Sequence, residues 1–94
     1  MLEKDIEMYF KKRIEYAGGL CLKFSSPGCT GVPDRIVVYG GKVTFVEFKA
    51  PGRDVSKRQA IMIERIRACG CRVYVVWDLE TADLILGSIF EGSA

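Results

Sequence analysis

The chain has 94 residues, 49% of them hydrophobic, and a formal net charge of +2. That size suits one domain with its own core, spanning 1–94, and is too short for two. The charge is too small to mark a polybasic binder, and no apolar run is long enough to span a bilayer.

In chain order, Leu2, Ile6, Tyr9, Phe10, Ile14 and Ala17 recur at three- and four-residue steps, which predicts a helix over 2–17 stopped by Gly18-Gly19. Leu20, Leu22 and Phe24 alternate with Cys21 and Lys23, as in a short strand. Residues 25–31 form a loop by their glycines and proline. Strands are expected over 35–39 and 42–49, joined through Gly40-Gly41 as a hairpin. Ser56 caps a helix over 57–68, with Ile61, Ile63, Ile66 and Ala68 as much of its apolar content. A strand over 72–77 and a short helix over 81–86 follow, and the last residues read as frayed. The order predicts an α/β domain with a small mixed four-stranded sheet. The helix between the third and fourth strands makes that pair parallel.

The charged residues Glu3, Lys4, Asp5 and Glu7 interrupt any apolar run at the start, so no signal peptide and a cytoplasmic location are expected. Cys21, Cys29, Cys69 and Cys71 then read as reduced thiols. Cys69-Gly70-Cys71 has neither a matching second pair nor any histidine in the chain, which argues against structural zinc.

Chemistry concentrates in the hairpin. Counting outward from Gly40-Gly41, Lys42 opposes Tyr39 and Glu47 comes opposite Asp34, within one residue. Glu47 and Lys49 share one strand face, with Phe48 on the other. Two facing carboxylates repel unless a cation lies between them, and Mg²⁺ or Mn²⁺ takes such oxygen ligands. Lys49 stands where it can steady an attacking water or a phosphate oxygen. Glu3 and Glu7, four apart on one helical face, are alternative outer carboxylates. Gln59 can hydrogen-bond a ligand at the site. The basic runs Lys11-Lys12-Arg13 and Arg53, Lys57, Arg58 suit phosphate contacts.

Together, Glu3-x-x-Ile6-Glu7, Lys23-x-Ser25, Gly31-Val32-Pro33-Asp34-Arg35, the run from Val46 to Gly52 and Ser56-x-x-Gln59 resemble the VRR-NUC family of PD-(D/E)XK nucleases. The resemblance covers residues 2 to about 78. It implies a restriction-endonuclease-like core and Mg²⁺- or Mn²⁺-dependent hydrolysis of DNA. Carried over, Asp34 and Glu47 are metal ligands, Lys49 the catalytic lysine and Gln59 the family's helix glutamine; Glu3 and Glu7 both fit the helix carboxylate. The implied protein is a phage-type, structure-selective endonuclease. It acts on Holliday junctions or other branched DNA, as a homodimer. The rival expectation is a non-cleaving DNA-binding module of a phage replication or recombination complex.

Overall fold

Strand pairing decides the layout of the computed structural model, which describes residues 1–92. Its elements are α1 (Glu3–Tyr16), β1 (Leu20–Lys23), β2 (Arg35–Tyr39), β3 (Lys42–Phe48), α2 (Lys57–Ala68), β4 (Arg72–Val76) and α3 (Leu79–Glu91). The sheet order is β1-β2-β3-β4; the first two pairings are antiparallel and β3 runs parallel to β4. Gly40 and Gly41 have φ of 59° and 77°, the left-handed pair that a two-residue hairpin turn needs. Tyr39 therefore faces Lys42 and Arg35 faces Val46, so the next step outward sets Asp34 against Glu47.

One sheet face carries Cys21, Val37, Val46, Phe48 and Val76, all buried under α1 and α3. Helix α1 contributes Ile6, Phe10 and Ile14 at four-residue steps. The Phe10 ring meets Phe48 edge-on at 5.4 Å and 73°, a contact that adds about 1 kcal/mol to its burial. Tyr9 Oη donates to Asp83 Oδ1 at 2.5 Å, tying α1 to α3.

Helix α3 is longer than the 81–86 expected and runs to Glu91, and the frayed end expected after it falls in part on residues 93–94, which lie outside the described residues. Asp78 caps it, accepting from the Thr81 backbone N–H at 2.7 Å. Ala82, Ile85, Leu86 and Ile89 bury one stripe of it. That packing outweighs the roughly 1 kcal/mol cost of Gly87 inside the helix.

The opposite face is thinly covered. Helix α2 has the expected bounds, yet Ile63 is its one buried residue and Ile61 is 53% exposed. Leu20, Leu22 and Val43 are about half exposed. All four thiols are free. Among the described residues no helix is long and apolar enough to cross a membrane.

Candidate active site

The rim where β3 ends gathers the polar groups. Lys49 lies one residue past the strand, but its N–H still donates to Val76 O at 2.9 Å, so its backbone stays in the ladder. Glu47 and Lys49 therefore point to the same face, and Lys49 Nζ stands 3.7 Å from Glu47 Oε2. Asp34 sits just before β2. Its carbonyl accepts from the Phe24 N–H, and its Oδ2 accepts from the Phe48 N–H, both at 2.9 Å. These bonds pin the Asp34 carboxylate over the end of β3.

The loop leading to Asp34 depends on Gly31. Its φ is +86°, and a Cβ there would lie 2.9 Å from the Arg58 carbonyl oxygen. A side chain would push the loop off the start of α2.

Glu47 is 2% exposed, an expensive place for a carboxylate. Its Oε2 accepts from Gln59 Nε2 at 2.8 Å. Gln59 can serve it because Ser56 takes the other end of the amide: the Ser56 N–H donates to Gln59 Oε1 at 2.8 Å, and Ser56 Oγ accepts from the Gln59 N–H at 3.1 Å. This reciprocal helix cap turns the Gln59 NH₂ toward Glu47. Glu47 Oε1 is buried and, among the described residues, has no hydrogen-bond partner. Burial first, then the Asp34 charge, pushes the Glu47 carboxyl up to about 7, against the opposing pull of Lys49.

The two helix glutamates part company. Glu7 accepts from Arg35 Nε at 2.7 Å and pairs with Lys23 at 3.4 Å, beneath the core face of the sheet. Arg35 is 5% exposed and also donates to Cys21 O. Glu3 instead lines a cavity of about 310 Å³ with Lys49, Ala50, Arg53 and Asp54. Its charge adds, weakly, to the upward push on Glu47.

The place of Arg53 in that cavity was not legible in the basic run to which it belongs. The loop after Pro51-Gly52 folds back, and Trp77 Nε1 fastens it by donating to Arg53 O at 2.7 Å. An unpaired tryptophan at the end of an apolar strand was the available signal.

Among the described residues no group of three or more His, Cys, Asp or Glu side chains lies together as a metal cage. The donor set still fits Mg²⁺ or Mn²⁺, which bind through one or two carboxylates and keep several waters. The bare Glu47 Oε1, beside a second carboxylate, is the kind of atom such an ion satisfies.

The chain is similar to known proteins. The VRR-NUC domain model matches residues 6–77. A phage protein named "Putative nuclease p44", from Acyrthosiphon pisum secondary endosymbiont phage 1, is 41% identical over 83 residues, which are 87% of this chain and 86% of that one. A solved structure described as "VRR_NUC domain" superposes with a TM-score of 0.82 at 31% identity, covering 90% of this chain and 94% of the other.

Proposed function

The chain belongs to the VRR-NUC family and has a restriction-endonuclease-like fold, and we propose that it is a divalent-metal-dependent endonuclease that cuts branched DNA. The carrying observation is Glu47: a buried carboxylate with one oxygen unpartnered, next to Asp34 and within reach of Lys49. Asp34 and Glu47 would hold Mg²⁺ or Mn²⁺. Bound there, such an ion would supply Lewis acidity toward water and would offset negative charge on the phosphate.

The chain's own groups do the rest. Lys49, 21% exposed at the cavity, donates hydrogen bonds to the incoming water or to a non-bridging phosphate oxygen as negative charge builds there. Gln59 holds the Glu47 carboxylate in one orientation. Asp34 keeps one oxygen on the Phe48 N–H and presents the other. Glu3 is the outer carboxylate, because it lines the cavity while Glu7 is engaged with Arg35. Arg53 takes a neighbouring phosphate at the cavity rim. No covalent enzyme intermediate is required. Four-way junctions fall within the substrate class, and two copies of the domain related by a two-fold axis would present one site to each of two strands. The likeness to a phage protein supports a phage-encoded enzyme acting in the cytoplasm of a bacterial host.

A gel assay of four-way junction, flap and linear duplex, with Mn²⁺ or EDTA, tests this. Cleavage of the branched substrates in Mn²⁺ alone is expected. Lys49→Ala should slow it by about 10²- to 10³-fold, the loss typical when one transition-state donor is removed. Wild-type protein that binds these DNAs but cuts none of them in Mn²⁺ is a binding module instead.

A further inference from the structure

Beside the proposed catalytic rim, a second groove of about 380 Å³ runs between the loop before Asp34 and helix α2. Cys29 and Thr30 form its loop wall. Arg58, Ile61, Met62 and Arg65 form its helix wall. Their spacing puts these four on one stripe of α2, with a guanidinium at each end and apolar side chains between. The two arginines are seven residues apart, about 10 Å along the axis, so each can take a separate phosphate.

The groove has the charge of an anion site. Among the described residues no carboxylate lines it. Among the described residues neither Arg58 nor Arg65 pairs with an acid, whereas nearby Arg67 is engaged by Glu64 and by Val73 O. Arg58 donates to Thr30 Oγ1 at 2.9 Å, which holds it at the groove wall. The first turn of α2 contains Lys57 and Arg58 and no acid, against the preference of a helix dipole. An anion lying there reverses that cost.

The apolar stretch selects among anions. A duplex keeps its bases stacked inside and offers the groove only its backbone. An unpaired strand offers a base face as well, for which the half-exposed Ile61 and its neighbour Met62 provide a floor. The volume falls in the range for small ligands, so it suits a nucleotide or two rather than a helix. The groove also adjoins the rim, since Arg58 precedes Gln59, which touches Glu47.

We infer that this groove holds an unpaired single-stranded arm of the DNA, with phosphates on Arg58 and Arg65 and a base against Ile61 and Met62. The inference rests on the nuclease reading for its substrate, and it narrows the branched class toward branches with a free strand.

The test is binding in EDTA, by fluorescence anisotropy over a salt series, of a blunt duplex and of the same duplex bearing a single-stranded arm. Wild-type protein should prefer the armed probe. Arg65→Ala should weaken that probe by about tenfold and lower its salt slope by about one, leaving the blunt duplex unchanged. Ile61→Glu, at an exposed position, should likewise abolish the preference. Variants that bind the armed probe as wild type does, or that lose both probes equally, overturn the assignment. Wild-type cleavage in Mn²⁺ is scored separately: its absence overturns the nuclease reading, whatever the binding series shows.

Discussion

The two faces of the sheet are built to opposite ends. Under α1 and α3, apolar side chains are closed off and the buried ion pair is complete, with Arg35 meeting Glu7 and the Cys21 carbonyl. On the α2 side, one helix residue is buried, apolar strand residues stay half exposed, and a buried carboxylate keeps an unpartnered oxygen. The first face meets its own bonding needs. The second leaves a need that something outside the chain must meet, as functional sites commonly do.

Breaking the first face should cost the most stability. Phe10→Ala removes a fully buried ring packed against Phe48, and about 3–5 kcal/mol of unfolding free energy should go with it. Since small domains hold roughly 5–15 kcal/mol, chemical denaturation should show a midpoint far below wild type. Any residual folded protein should retain metal-dependent cleavage.

The glutamate pair sharpens the contrast within one helix. Glu7→Ala leaves Arg35 buried without its anion and should destabilise by about 3–5 kcal/mol. Glu3→Ala, at an exposed position, should leave the melting temperature unchanged and weaken Mn²⁺ binding in calorimetry. The reverse pattern would exchange their roles.

The smallest effect probes the open face through pH. The Glu47 carboxyl lies at about 7 in the folded protein against an ordinary 4.5, so the folded state holds its proton longer than the unfolded state does. Stability from this group is therefore complete below about pH 4.5, declines as pH rises and is fully lost above about 7, a total of about 3 kcal/mol. Glu47→Gln should be more stable than wild type at pH 8 without divalent metal, and the difference should vanish at low pH. Mn²⁺ should raise the melting temperature of wild type at pH 8 and leave the variant unmoved.

Much of the layout was legible in the chain. Counting outward from the Gly40-Gly41 turn gives the hairpin register to within one residue, and the observed register, with Tyr39 facing Lys42 and Arg35 facing Val46, brings Asp34 opposite Glu47. Ser56 and Gly70 bracket α2 because caps act locally. The reach of α3 was less legible: Gly87 and a weak polar start hid a stripe whose burial depends on α1 and β4. The exposure of Ile61 was also hidden, since periodicity reports an apolar side chain but not whether anything covers it.

Sequence by itself determined the family through its motifs, and the β2–β3 hairpin, the parallel β3–β4 pair and Asp34, Glu47, Lys49 and Gln59 as the polar candidates, because turns, caps and alternation are short-range rules. Tertiary structure alone decided which glutamate of α1 reaches the cavity, that one amide both closes the α2 cap and grips Glu47, and that Arg53 swings back beside Lys49. Those outcomes follow from how helices rotate and loops fold against the sheet. Packing between distant segments sets that rotation, and no local spacing encodes it.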